Sequence, residues 1–471
     1  MIVTIARKEL AGMVRDRRVL ILCLALLAMW IMVYLAAMGQ QQRLRAERAA
    51  IGETTREQWD RQGIKHPHRG AHFGMYAFQP DAPLSAFDPG IQPYVGQAIW
   101  MEPHRRNMAR FDPAADGGPS IRFGQIVPAF LLISLFPLLF MALAFNLAAQ
   151  EREQGTLRML QSMGVSNRAI LAGKLLAIVT GLLTVTLPIF ALLGADALWH
   201  GQTADMLPRV AGVALVYTGY YILSAAIGLA IGAFSRGTRG ALFVLIIVWA
   251  VAVFAVPRAA SAIAQRAVPL PSAQAFWAAI ARDYKHGLPG DPDLATQLRD
   301  FDAGLLRQYG VTSLKEVPVG VNAARRLQRD AYADKVHAYH FDALWARYTQ
   351  QQNILRSASL FSPAIPVAAI SASLAGTSLA HQRHFEDAAE HYRRYFNTAI
   401  DEWDKDNTAG QVSFETQYAA DSVWQSVRPF HYTAPPLAFS LRASWLDLLG
   451  LAAWAAVAGG ALCLAARRWK A

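Results

Sequence analysis

Long apolar runs alternate with short charged stretches along this chain, and two long polar insertions interrupt the alternation. The apolar runs are residues 19–38, 124–149, 170–195, 207–234, 241–256 and 445–466. About 20 apolar residues carry a helix across a bilayer, so the pattern predicts six spans. Residues 1–18 read differently. Ile2, Ile5, Leu10, Met13 and Val14 alternate with Arg7, Lys8, Glu9, Arg15, Arg17 and Arg18, which predicts a helix lying in the membrane interface. A secretory signal is the competing reading of a basic start before an apolar run. The run 19–38 is long for a signal core, and no Ala-x-Ala site closes it cleanly.

The first insertion, 39–122, opens with a helical pattern over 40–62 and then becomes dense in turn-forming Pro and Gly. The second, 258–443, is mainly helical in pattern, with charged faces such as 323–352. Inside it, residues 360–380 are apolar but rich in Ala and Ser and broken by Pro363 and Pro366. This predicts a buried or interfacial segment rather than a seventh span. Short loops set the orientation. The N-terminus, the loop 150–169, the turn with Arg236 and Arg239, and the tail with Arg467 and Arg468 are basic, whereas the turn 196–205 has neither Lys nor Arg. By the positive-inside rule both termini are cytoplasmic, and both insertions fall outside. The expected fold is an all-α membrane protein: about six transmembrane helices, an N-terminal interfacial helix, and a mainly helical extracytoplasmic domain built from two insertions.

Residues 150–174, QEREQGTLRMLQSMGVSNRAILAGK, sit between two spans. Gly155 breaks the charged turn Glu151-Arg152-Glu153, and Thr156 can cap a new short helix by accepting from its first N–H groups. Leu157 and Leu160, with Met163 and Gly164, make one apolar face of that helix. Arg158, Arg168 and Lys174 supply charge around it. A short amphipathic helix held between spans is a docking knob for a cytoplasmic partner. The order E-R-E-x-G-T-L-x-x-L…R-x-x-I-L-x-G-K resembles the coupling-helix loop of ABC-2 type transporter permeases. The resemblance implies a loop seated in a groove of a separate ATP-hydrolysing subunit, a second permease subunit of the same or a similar chain, and a bacterial inner membrane location. It also implies that the interfacial helix, with Arg7, Lys8 and Glu9, helps form the ATPase-facing surface. HFGMYAFQPDAPLSAFDPG with WMEPHRRN, and SPAIPVAAISASLAGT with HFEDAAEHYRR, resemble motifs of a bacterial subgroup of these permeases that carries a large periplasmic domain.

The chain is 54% hydrophobic and 17% charged, which fits a membrane domain joined to large water-exposed segments. A net charge of +11 raises nucleic acid as a partner, but no compact basic motif is present, and Arg and Lys flanking the spans account for much of it. Cys23 and Cys463 both lie in apolar runs, so the insertions hold no disulfide. No P-loop is present. Gly173-Lys174-Leu175 lacks the Ser or Thr that would hold Mg²⁺, and Arg168 stands where the first glycine is needed. No cofactor is therefore expected in this chain; ATP and Mg²⁺ belong to the partner.

Polar or helix-breaking residues in the spans are candidates for the transport pathway: Pro128, Pro137, Asn146, Tyr217, Tyr220 and Tyr221. Gly228 and Gly232 have the spacing that permits close helix approach. Few other polar groups occur there, which argues against a proton-coupled carrier. His66, His68 and His72, with His104 further on, are candidate transition-metal ligands, though loop histidines of no such role read the same way. His337/His340 and His381/His384 have helical spacing that can also bind metal. The acidic run Asp387–Asp406 reads as a solvated helix face. The expected function is a permease subunit of an ABC exporter. One alternative keeps the ATPase but moves no cargo, using the outer domain as a mechanical transmitter or a platform for a periplasmic protein. Another, a membrane-anchored outer enzyme, has no catalytic motif behind it.

Overall fold

The structure, a computed structural model, describes residues 1–110, 126–199, 203–409 and 418–469. The predicted start of the second span and the end of the first insertion, 111–125, lie outside the described residues, as do 200–202 of the predicted 196–205 turn. Among the described residues, seven helices are long and apolar enough to cross a membrane.

Helix α1 (Ile2–Arg15) ends at Asp16, whose carboxylate accepts from the Arg18 N–H and starts α2 (Arg17–Asp60). The apolar half of α2 is the predicted first span, and its polar half continues as a stalk. Next come α3 (Pro67–Ala71) and an antiparallel pair of strands, β1 (Met75–Phe78) and β2 (Ala98–Met101). This two-stranded sheet is small beside the helices, and the fold class is all-α as expected.

Helices α4 (Pro128–Glu153), α5 (Thr156–Ser162), α6 (Asn167–Trp199) and α7 (Thr203–Phe234) form the centre of the bundle. Gly228 and Gly232 of α7 face the backbone of α4. A Cβ at 228 would sit 2.6 Å from the Met141 carbonyl oxygen, and one at 232 would come closer still to that of Phe145. The glycines are therefore there for contact, not for flexibility. Gly232→Val should force the two helices apart, costing about 1–3 kcal/mol. Thermal melting in detergent reads this, with Gly459→Val as the control, since a Cβ there meets open space.

The fifth run is longer than predicted. Helix α8 (Thr238–Ala250) passes through a π turn (Val251–Ala255) into α9 (Val256–Ala267) without a break. Pro257, the residue directly after the predicted run 241–256, does not end the helix. It lies instead in the first turn of α9, directly after the widened π turn, where a missing N–H is tolerated.

Helices α10 (Ala273–His286), α11 (Leu294–Tyr309) and α12 (Val321–Ser357) lead to α13 (Ala364–Ala375) and α14 (Leu379–Asn407). The seventh candidate span is Ala364–Asn407, but it is not one rod. Gly376, at φ +81, separates α13 from α14. The 12 residues of α13 rise roughly 18 Å, short of a hydrocarbon core of about 30 Å. The apolar window of Ala364–Asn407 is 67% buried within the protein, more than that of any other candidate. The turn before α13 is pinned: Trp454 Nε1 donates to the Ser359 carbonyl at 2.6 Å, and Ser362 Oγ donates to the Ala252 carbonyl of the π turn. The chain closes with α15 (Asp421–Ser426), α16 (Leu437–Ala443) and α17 (Trp445–Arg468).

Two large cores result. One fills the bundle and includes Trp30, Phe136, Tyr217, Tyr221 and Leu374. The other joins the two insertions: Trp59, Met75 and Met101 pack with Phe385, Phe396 and Trp424. Trp59 Nε1 donates to the Trp424 carbonyl at 2.9 Å, and Lys65 pairs with Ala419 in a β-bridge.

Candidate functional site

The loop between α4 and α6 gathers at one end of the bundle with α1 and the end of α17. Gly155 takes a left-handed conformation (φ 73) that only glycine adopts without strain, and this turns the chain into α5. Thr156 is the first helical residue, and its hydroxyl donates back to the carboxylate and carbonyl of Glu151. That reverses the expected cap, in which its oxygen accepts from α5.

The face of α5 is also the other way round. Leu157 is fully buried, and Leu160 packs beside it in a cluster with Ala148, Ile170, Leu229 and Trp469. Leu157 anchors the helix and presents no docking surface, and Leu160 is partly buried beside it. The outward apolar side chains are Met159 and Met163, 56% and 62% exposed, with Arg158 and Arg168 also exposed. The expected face grouped Met163 with the leucines and left out Met159; the fold instead exposes Met159 and Met163 together, four residues apart.

Lys174 does not lie at the loop surface. It is buried, and its Nζ donates to Glu9 at 2.7 Å and to Glu151 at 2.8 Å. Lys8, largely exposed, adds a contact of 3.1 Å to Glu9. A Cβ on Gly173 would sit 2.7 Å from Cβ of Ile5, so α1 lies directly on α6. In α1, then, Glu9 points inward while Arg7 is exposed. Glu153 accepts from the Thr238 N–H at 3.2 Å, and Arg152 donates to the Ala233 carbonyl at 3.0 Å, fixing the α7–α8 turn. Asn167 and Gln161 donate to the Trp469 carbonyl at 2.6 and 3.3 Å. The result is one cross-linked block.

The residues named as pathway candidates separate. Pro137 has no N–H for the Ile133 carbonyl four residues earlier, and Tyr220 Oη supplies the missing donor at 3.1 Å. Trp249 Nε1 donates to the Ser134 carbonyl one residue further on at 2.8 Å, and Tyr221 Oη donates to the Leu132 carbonyl at 3.1 Å. Tyr217 Oη donates to Ser371 Oγ at 3.0 Å, and Ser371 in turn to the Asp88 carboxylate. All three tyrosines are buried, so they line no open route within the chain. Pro128 starts α4, and Asn146 is half-buried on it. A cleft of 370 Å³ lies instead between the stalk of α2 and residues 81–97, lined by Gln41, Arg48, Asp81, Ser85 and Gln92 among others.

Arg209 was missed. It is fully buried near the start of α7 and donates to Asp205 at 2.5 Å, to the Leu374 and Pro435 carbonyls at 3.0 and 2.9 Å, and to Ser440 Oγ at 2.9 Å. The acidic residues of α14 also differ from a solvated face. Glu390, Asp401 and Asp404 are buried; Arg393 holds Glu390 at 2.7 Å, and Arg326 holds Asp401 at 3.0 Å and also Asp404.

Of the candidate metal residues, His68 and His72 come together with His104. His66 does not join them; its Nδ1 caps α3 by accepting from the His68 N–H at 3.2 Å. His340 is held by Asp283 at 2.9 Å, His381 by Ser378 and Ser440, and His384 by Tyr432.

Residues 110–276 match the family model described as ABC-2 family transporter protein, and residues 273–433 match one described as Domain of unknown function (DUF3526). No curated protein and no solved structure matches the chain. The first match covers α4 to α9 with the cross-linked loop inside it, and the second covers α10 to α15. The chain is a multi-pass membrane protein with an ABC-2 family transporter domain followed by a further domain, the arrangement of an ABC-2 permease with an extra domain.

Proposed function

We propose that this chain is the membrane permease subunit of a bacterial ABC exporter, and that a separate ATPase docks on α5. The observation that carries this reading is the contrast between the two sides of α5. Its inner side is locked into the bundle through Leu157, and its outer side offers two methionines that the described residues leave more than half exposed. Methionine is a flexible apolar side chain suited to a groove on a partner. ATP and Mg²⁺ would be bound by that partner. Closure of a pair of ATPases would push α5. The Lys174 ion pairs would carry the push into α1, α4 and α6 together, and the joint at Pro137 would let α4 bend. In this reading both termini and α5 are cytoplasmic, the membrane is the bacterial inner membrane, the joined insertions are periplasmic, and a second permease copy completes the pathway.

A second reading has its own observation. The bundle interior is filled, and its tyrosine hydroxyls are engaged. That also suits a transmitter, which would pass ATPase motion to a periplasmic protein without moving cargo.

Met159→Asp with Met163→Asp tests the docking. Burying two unpaired charges costs several kcal/mol, so recovery of the ATPase with the purified permease should fall by at least about 100-fold. Both side chains are exposed, so the melting temperature should stay put. Leu157→Asp should instead lower it. Undiminished ATPase recovery with the methionine variants would remove α5 as the docking element.

A further inference from the structure

Three imidazoles from separate parts of the first insertion meet at its junction with the second. His68 lies on α3, and His72 follows one turn later on the same face. His104 comes from the turn after β2. His68 Nε2 stands 3.2 Å from His72 Nε2 and 3.2 Å from His104 Nε2, and the three ligand atoms lie within 4.8 Å of one another. Two nitrogens bound 2.0–2.1 Å from a tetrahedral zinc are about 3.3–3.4 Å apart. The two measured edges are close to that value.

Hydrogen bonding among the rings does not account for the arrangement equally well. His104 Nδ1 lies 2.6 Å from the Asp330 carboxylate, which places the proton on Nδ1 and leaves the Nε2 lone pair facing the cluster. His68 Nε2 carries at most one proton to share between two neighbours. A cation accepts all three lone pairs. The carboxylate behind His104 is the outer support that metal-binding imidazoles usually have. Asp330 is itself fixed, accepting from Asn397 Nδ2 at 2.7 Å. His68 is buried, with the Arg326 guanidinium among its charged neighbours. The charge of Arg326 is met by Asp401 and Asp404. His72 is exposed, which gives an ion access and leaves a fourth position for water.

We propose that His68, His72 and His104 bind one divalent transition-metal ion of the zinc–copper class, supported through His104 by Asp330. Imidazole donors favour these ions over Mg²⁺ or Ca²⁺. The ligands belong to the first insertion, while Asp330 and Asn397 belong to α12 and α14. The ion therefore fastens one insertion to the other.

The test uses the full chain in detergent, stripped with EDTA and titrated with Co²⁺ and then Zn²⁺. One Co²⁺ per chain should bind with the intense visible absorption of a tetrahedral site, and Zn²⁺ should displace it. His72→Gln should weaken binding by about 100-fold or more, and Asp330→Asn by about 10–100-fold. His66→Gln should leave it unchanged. Because His72 is exposed, its variant should melt like the parent in EDTA, which separates lost binding from lost folding. Absence of stoichiometric Co²⁺ and Zn²⁺ uptake by the parent would overturn the proposal. So would equal affinity in His72→Gln, or an equal loss in His66→Gln.

Discussion

Lys174→Met is expected to release α1 from the bundle. The methionine keeps the length of the side chain and removes its charge, leaving Glu9 and Glu151 facing each other in a buried site. Breaking a buried ion pair from one side costs about 3–5 kcal/mol; Lys8 stays within 3.1 Å of Glu9 and 3.7 Å of Glu151, but it is exposed and does not replace the ammonium buried between them. The side chains involved are 1%, 9% and 8% exposed, so solvent screens little of this. Melting temperature should drop, and trypsin should reach Arg7 and Arg15 in protein that otherwise resists it. Adding Glu9→Gln and Glu151→Gln removes the stranded charges and should recover most of the loss. If the single variant melts with the parent and α1 stays protected, the ion pairs do not hold this end together.

Arg209→Met should have a comparable effect at the other end of α7. Four acceptors lose a charged donor: the Asp205 carboxylate, the Leu374 and Pro435 carbonyls, and Ser440 Oγ. Hydrogen bonds to charged groups are worth about 1.5–3 kcal/mol each, so the combined loss is on the order of 4 kcal/mol or more. Helix α13 and residues 435–443 should loosen together, and hydrogen exchange across both segments measures this. Arg209→Lys should rescue little, since one ammonium cannot reach acceptors placed around a planar fork. Rapid exchange confined to one of the two segments would show that Arg209 does not join them.

The spans were legible because twenty apolar residues in a row mean the same thing in almost any context. The loop was legible as a unit for a related reason: its charged and apolar residues lie close in sequence. Its inner and outer faces were not. Leu157 and Met159 are both apolar, and which one points inward depends on Ile170 and Leu229 from two other helices and on Trp469, just past the end of α17. Lys174 read as a loop cation because its partner Glu9 lies 165 residues away. The short strands β1 and β2 give too few positions to show alternation among prolines and glycines. His104 was set apart from His68 by 36 residues, whereas the neighbour His66 was grouped with it; the fold reverses that choice.

The shared core of the two insertions has a consequence for synthesis. Trp59 is made early, and its partner Trp424 follows 365 residues later. At about 5–20 residues per second, the first insertion waits roughly 20–70 s before the other half of its core exists. During that time Met75, Met101 and the edges of the small sheet have no permanent cover. The nascent chain therefore has a long interval in which a chaperone, or the wrong strand, can reach it. A chain stopped before residue 424 would keep its early spans and still fail to fold its first insertion.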